Sequence, residues 1–169
     1  FPLERDRSGI ASPARMNSFF ARGKRWAPWA IAAASGGLMT APYLRDDAGW
    51  LGWIALCPLI ALIVPAATPA ESRPAPFQPG FVWGMVFWGG TLFWVGHVSA
   101  LGMGALVVWL ALFPAAWSWA LGRFAARWPQ PTGAHHLALA ACGAAAWVAL
   151  EAARGWLLGG FPWNTLAVS

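Results

Sequence analysis

Two oppositely charged residues near the end of the sequence stand three positions apart within an apolar segment. Glu151 and Arg154 are separated by two alanines, and this is a spacing at which helical side chains share one face. A bare charge in hydrocarbon costs several kcal/mol, so we expect both side chains to turn inward and to meet each other or a neighbouring helix. The pattern indicates either a structural ion pair that fixes the helix ends or a direct contact with a lipid headgroup.

An aromatic turn with a proline follows this pair. The two glycines at 159–160 can end the helix. Pro162 forbids its continuation and restricts Phe161 to extended conformations. Aromatic side chains at this place are typical of anchors at the membrane interface, or of the lining of an acyl-chain or headgroup site. The candidate lipid-binding residues are therefore Glu151, Arg154, Phe161, Pro162, Trp163 and Asn164.

Other kinds of site lack the residues that they need. His97 and the adjacent histidines 135–136 have no further ligands converging on them, so we predict no metal site. The cysteines Cys57 and Cys142 fall in different apolar segments, and we interpret both as small buried hydrophobic residues rather than as a disulfide or metal ligands. The sequence contains no glycine-rich phosphate loop, nucleophile elbow or zinc-protease motif. We therefore predict no metal and no cofactor.

The composition is that of an integral membrane protein. Of the 169 residues, 59% are hydrophobic and 10% are charged, whereas a soluble domain carries about 25% charged residues. Uncharged runs of 19, 23 and 49 residues occur, and about 20 residues cross one hydrocarbon core, so the longest run must cross twice. We predict an all-α integral membrane protein with about five transmembrane helices in an antiparallel bundle. The predicted spans are about 26–43, 49–67, 79–100, 102–124 and 137–158.

The basic residues indicate how the chain is oriented. Six of the eleven precede the first span, one lies between the second and third spans and two lie between the fourth and fifth, whereas only Arg45 lies on the opposite side. Basic flanks face the cytoplasm, so we expect a cytoplasmic N-terminus and place the residues after Gly160 outside. The net charge of +5 thus comes from basic residues that flank the membrane spans, and we predict no nucleic-acid partner. We divide the chain into a disordered basic cytoplasmic segment, 1–25, and a transmembrane helical domain, 26–169.

Two separated motifs resemble the membrane part of bacterial apolipoprotein N-acyltransferases. The first joins the charged pair to its aromatic turn, Glu151-x-x-Arg154-Gly155-Trp156 followed by Gly160-Phe161-Pro162-Trp163. The second is similar to the family's third span, Gly80-Phe81-x-Trp83-Gly84 leading to Trp94-Val95-x-x-Val98-Ser99. In addition, the family's first helical hairpin is similar to Ala41-Pro42 with Pro58-Leu59. The resemblance covers roughly residues 26–169, and the order of the two motifs makes it specific.

The resemblance implies an enzyme of the bacterial inner membrane. Members of the family transfer an acyl chain from a phospholipid to the N-terminal amine of a lipoprotein's diacylglyceryl-cysteine, using a Glu-Lys-Cys triad in a nitrilase-like domain. Ser169 comes before the place of that domain, so we expect this chain to be an N-terminal fragment that anchors the enzyme and admits lipid. The implied partners are the phospholipid acyl donor, the diacylglyceryl lipoprotein and the membrane.

The residues themselves argue against catalysis by this chain alone. Its only lysine, Lys24, lies on the cytoplasmic flank, and both cysteines lie within spans, so no Glu-Lys-Cys triad can assemble on one side. We therefore assign no catalytic residue. The alternative function is that of a small non-catalytic helical membrane protein that binds a lipid or a partner. The scarcity of ionisable residues at membrane depth disfavours a third interpretation, a transporter fragment.

Overall fold

Five helical segments make up most of the part of the chain that the structure describes. The structure is a computed structural model, and it describes residues 13–64, 74–128, 130–157, 160, 161 and 164. In chain order the segments are α1 (Pro13–Leu44); a 3₁₀ helix (Asp46–Leu51) continued by α2 (Gly52–Ala55) and α3 (Cys57–Ile63); α4 (Phe77–Thr91) followed by a 3₁₀ helix (Phe93–His97); α5 (Ala100–Ala125); and α6 (Gly133–Arg154). Within the described ranges there is no β-strand.

Among the described residues, three segments are long and apolar enough to cross a membrane. They are the composite segment Asp46–Ile63, α5 and α6. The helix α4 has 15 residues, fewer than the roughly 20 that one crossing takes. The predicted all-α membrane bundle is confirmed, whereas the number of five crossings stays a prediction.

The first helix begins earlier than the charge pattern predicted. It starts at Pro13 and contains 32 residues, whereas the predicted span starts at residue 26. Proline suits the first position of a helix because its missing N–H would have no helical acceptor there, and alanine, arginine, methionine and lysine in the following turns favour helix. The backbone of residues 13–25 is therefore helical where the sequence pattern predicted disorder. Residues 1–12 lie outside the described residues, and the division of the chain at residue 25 stays a prediction.

Side-chain caps define where the last two helices begin. The Ser99 Oγ accepts a hydrogen bond from the Gly102 N–H at 3.1 Å, so α5 starts directly after the second 3₁₀ helix. At the start of α6, the Thr132 N–H donates to the His135 Nδ1 at 3.0 Å, as part of a capping box. This start sets the helical register that carries the charged pair to the last turns of α6.

Glycines allow α4 and α5 to lie in direct contact. A Cβ atom added to Gly84 would lie 2.8 Å from the Ala111 Cα and 2.7 Å from the Pro114 Cγ. One turn earlier, Gly80 lies against Pro114 and Ser118, so the two helices run antiparallel. Small residues are what such contact needs, because lipid offers no hydrophobic drive to bring helices together.

The helices α1 and α6 pack onto this pair. Gly36 of α1 lies against the Trp83 backbone, so α1 also approaches α4 closely. The Trp117 indole N–H of α5 donates to the Gly143 carbonyl of α6 at 2.8 Å. The largest fully buried apolar side chains are Trp83, Met39, Leu59, Leu92 and Leu110.

The two cysteines are exposed, which corrects the prediction that both are buried. Neither Cys57 on α3 nor Cys142 on α6 forms a disulfide. The remaining residues of α6 are exposed or half-buried as well, since Gly143 and Arg154 are its only buried residues. Lipid is as apolar as a protein interior, so an apolar residue of a membrane helix can face either one. Apolar surroundings in the sequence therefore did not show which side chains the protein covers.

Candidate functional site

A narrow cavity lies where the last turns of α1, α4 and α6 meet the middle of α5. Its empty volume is about 440 Å³, counting the space at its open mouth. Aromatic side chains form most of its wall. The lining residues are Met39 and Tyr43 of α1; Trp83, Phe87 and Trp88 of α4; Phe113, Pro114 and Trp117 of α5; Trp147, Leu150, Glu151 and Arg154 of α6; and Asn164.

Arg154 is a buried cation in this cavity. Only 3% of its surface is exposed, and its Cζ lies 4.6 Å from the centroid of the Trp88 ring, a cation–π contact that is strongest where water is excluded. The half-buried Glu151 attracts Arg154 electrostatically. The arginine thus faces the interior, and the acid one turn before it offsets its charge.

The chain folds back toward the cavity directly after α6. The Phe161 N–H donates to the Arg154 carbonyl at 3.0 Å. Gly160 has a φ of 79° at this turn, a left-handed conformation that side-chain-bearing residues rarely adopt. The Phe161 ring then meets the Trp88 ring edge-on at a centroid distance of 6.1 Å. This turn brings Asn164 to the wall of the cavity.

The structure brings four of the six predicted lipid-binding residues to one place. Glu151, Arg154 and Asn164 line the cavity, and Phe161 packs on its aromatic wall. The other two, Pro162-Trp163, lie outside the described residues. The part that these residues play in lipid binding stays a prediction.

The part of the chain that builds the cavity also matches a known family. Residues 35–169 match the family model described as apolipoprotein N-acyltransferase N-terminal domain. The chain belongs to this family. Every residue that lines the cavity falls within the matched range, and the resemblance inferred from the two sequence motifs is confirmed.

Curated proteins named apolipoprotein N-acyltransferase are similar to this family member along most of its length. One from Vibrio vulnificus is 32% identical over 169 residues, which cover 90% of this chain and 30% of the relative. One from Geobacter metallireducens is 30% identical over 163 residues, which cover 90% of this chain and 28% of the relative. The chain therefore spans less than a third of the length of these relatives. No solved structure matches it significantly.

The aromatic wall of the N-acyltransferase-family cavity was not predicted as a site from the sequence. Trp83 and Trp147, on different helices, meet edge-on at a centroid distance of 6.0 Å, and Tyr43 meets Phe87 at 5.4 Å. The available signal was the spacing of Trp83 and Phe87, which stand one helical turn apart. Because the chain contains 14 tryptophans, that spacing alone did not single these residues out.

The lining residues can bind and orient a ligand. Arg154 and Asn164 carry polar donors, Glu151 carries acceptors, and the aromatic rings supply apolar contact. Among the described lining residues there is no Cys, Ser, Thr, Lys or His that could act as a nucleophile, and the ionisable side chains are those of Tyr43, Glu151 and Arg154. Within the described ranges, no three His, Cys, Asp or Glu side chains come together as metal ligands.

Proposed function

We propose that this chain is the membrane-embedded N-terminal part of a phospholipid:apolipoprotein N-acyltransferase. In that role it anchors the enzyme in the bacterial inner membrane and gives lipid access to it, without catalysing the transfer by itself. The proposed partners are a phospholipid acyl donor and a diacylglyceryl lipoprotein. The observation that carries the proposal is the family match over residues 35–169, which includes the whole described lining of the cavity.

The proposed topology has a cytoplasmic N-terminus and five crossings by the domain 26–169. The support is the distribution of the basic residues, nine of which fall on one side and only Arg45 on the other. With this topology, the cavity lies at the outer side of the membrane. That is the side on which the substrate amine of a lipoprotein is accessible after export.

The candidate residues suit a lipid headgroup at that depth. Arg154 carries five N–H donors, so it can donate hydrogen bonds to Glu151 and to a ligand oxygen at the same time. Its position over Trp88 holds the guanidinium in place before a ligand arrives. Asn164 adds an amide at the same wall, and aromatic residues such as Phe161 prefer the membrane interface. Pro162 and Trp163 complete the proposed headgroup set.

Acylation in cells tests this proposal. We expect the whole gene that encodes this chain to restore N-acylation of lipoproteins in a bacterium depleted of its own N-acyltransferase, measured by mass spectrometry of lipoprotein N-terminal peptides. Residues 1–169 expressed alone should reach the membrane and leave the amine unmodified, because they hold no Glu-Lys-Cys triad. As a control, Lys24→Ala in the whole gene should leave acylation unchanged.

Two results would contradict the proposal. Acylation by residues 1–169 alone would show that a triad is not needed. A gene that stops directly after the codon for Ser169, with a stable membrane product that supports no acylation, would favour the small non-catalytic membrane protein.

A further inference from the structure

The indole N–H groups of the four tryptophans in the cavity wall are not equally satisfied. The Trp117 N–H donates to the Gly143 carbonyl at 2.8 Å. The Nε1 atoms of Trp83, Trp88 and Trp147 are buried and have no hydrogen-bond partner among the described residues. Trp83 and Trp88 are only 1% and 4% exposed. Three buried donors in one wall thus lack an acceptor within the part of the chain that the structure describes.

Packing alone does not explain these three tryptophans. A buried indole N–H usually has an acceptor, and phenylalanine would fill apolar space without adding a donor that must be satisfied. Among the other side-chain nitrogen and oxygen atoms that the structure describes, only the Ser118 Oγ is buried without a hydrogen-bond partner. It lies in the contact between α4 and α5, outside the cavity. The concentration of such donors in one cavity indicates a ligand that supplies acceptors.

The charges of the cavity favour a neutral acceptor over an anion. Arg154 is the single basic residue in the described lining, and Glu151 already attracts it. An anion at Trp83 and Trp147, away from Arg154, would have no cation to offset its charge, and an unpaired charge is costly where water is excluded. An ester carbonyl accepts hydrogen bonds without carrying a charge, so it has no such cost.

Two of the three donors lie at a distance from the charged pair, and the third lies beside it. Trp147 precedes Arg154 by seven residues on α6, which corresponds to about 10 Å along the helix axis. Trp88 lies directly beside Arg154, and Trp83 contacts Trp147. Along the helices, the cavity wall therefore carries the charged pair at one end and two neutral donors about 10 Å farther along. A diacyl lipid has the same order of groups, with a polar headgroup first and two ester carbonyls below it.

We propose that the cavity binds the glycerol-ester part of a diacyl lipid, whose carbonyl oxygens accept hydrogen bonds from the indoles of Trp83, Trp88 and Trp147. The proposal rests on the proposed function, because both partners of that reaction carry two fatty-acyl esters on glycerol. These partners are the phospholipid donor and the diacylglyceryl lipoprotein. The shared chemistry is the pair of ester carbonyls, and the headgroup of the bound lipid lies beside Arg154.

Ester and ether lipids separate this site from simple hydrophobic binding. The probes are dioleoyl phosphatidylethanolamine and its diether analogue, which has the same headgroup and similar chains but no carbonyl. Binding to the purified whole protein in detergent is measured by native mass spectrometry. We expect the diester to bind more tightly, by roughly threefold to tenfold for each hydrogen bond that the diether lacks. Equal affinities would overturn the proposal and leave water as the acceptor for the indoles.

Matched tryptophan variants assign the preference to the cavity. Trp83→Phe and Trp147→Phe should each lower the ratio of diester to diether affinity by roughly threefold to tenfold. Trp117→Phe is the control, because its indole already has a protein acceptor, and it should leave the ratio unchanged. The ratio is taken within one variant, so a general loss of stability does not imitate the effect. A ratio that stays at the wild-type value in both Trp83→Phe and Trp147→Phe would overturn the proposal.

A second pair of probes identifies the source of the ester. A diacylglyceryl lipopeptide and its diether counterpart are compared in the same way. A preference in the phospholipid pair assigns the cavity to the acyl donor, and a preference in the lipopeptide pair assigns it to the acceptor. Acylation is scored separately in the depleted bacterium. Acylation without any ester preference would reject this site alone, whereas ester preference without acylation would reject the proposed enzyme function alone.

Discussion

Arg45 and Arg154 both lie at the end of a helix with an acid two or three residues away, but they stand in opposite surroundings. Arg45 donates to Asp47 through Nε at 3.0 Å and Nη2 at 2.9 Å, and these side chains are 69% and 70% exposed. Arg154 is 3% exposed, lies over the Trp88 ring and is attracted to Glu151. The same residue type therefore forms an exposed pair in one place and a buried cation in the other.

From this difference we expect the surroundings, more than the spacing of the charges, to determine what each pair contributes to stability. An exposed pair is screened and gains little, because each charge is almost as well solvated without its partner. A buried charge has lost that solvation, so removing its partner leaves it uncompensated. The following substitutions test this contrast between Arg45 and Arg154.

Removing the buried cation should have the largest effect. Arg154→Ala should destabilise the protein by about 3–5 kcal/mol, because it empties the space of a buried side chain, removes the contact with Trp88 and strands the half-buried Glu151 carboxylate. Glu151→Gln should cost less, since glutamine keeps an oxygen that can accept from Arg154, and the guanidinium keeps its contact with Trp88. Thermal unfolding of the whole gene's product in detergent, together with its level in membranes, measures both changes. Equal losses of stability in the two variants, or a larger loss in Glu151→Gln, would contradict the predicted order.

Replacing both members of the buried pair should have an intermediate effect. The double change Glu151→Gln with Arg154→Met should recover part of the stability lost in Arg154→Ala, because replacing a buried pair by less polar groups can be nearly neutral. Protein level and acylation are measured together in the depleted bacterium. Recovery of both supports a structural pair, whereas recovery of level without acylation supports a headgroup role. Independent, additive losses from the two single changes would show that the residues do not interact.

Removing the exposed cation should have the smallest effect. Arg45→Ala is expected to leave the unfolding temperature and the membrane level within error of the wild type, because water replaces Asp47 as a partner. Asp47→Ala is the matched control and should likewise leave the unfolding temperature and the membrane level unchanged. The same unfolding measurement serves for both. A loss as large as that of Arg154→Ala would show that exposure in this structure does not determine the strength of the pair.

The local part of the site could be predicted from the sequence. Glu151 and Arg154 stand three residues apart in an apolar run, so a shared helix face and an inward orientation followed from helix geometry and from the cost of burying charge. The turn at Phe161 followed from the constraints of glycine and proline on the backbone. These inferences depend on residues close together in the chain, and the structure places Arg154, Glu151 and Phe161 in that arrangement.

The burial of individual apolar residues could not be predicted in the same way. Cys57 and Cys142 lie in runs as apolar as those that contain the buried Trp83 and Leu110, but both cysteines are exposed. In a soluble protein the polar face of a helix marks its outer side. In a membrane protein the outer side meets lipid, which accepts the same residues as the core.

The sequence by itself determined that this chain is a helical membrane protein of the apolipoprotein N-acyltransferase family, in which the charged residues Glu151 and Arg154 are followed by an aromatic turn. Only the tertiary structure decided that Tyr43, Trp88 and Trp147, from three different helices, surround that pair. It also decided that the Trp117 indole finds a carbonyl on α6, whereas its neighbours in the cavity wall find none among the described residues. Composition, spacing and turn residues can be read from neighbouring positions in the chain. A hydrogen bond between two helices depends on which of their faces pack together. Apolar faces do not reveal this, because they can contact either lipid or another helix.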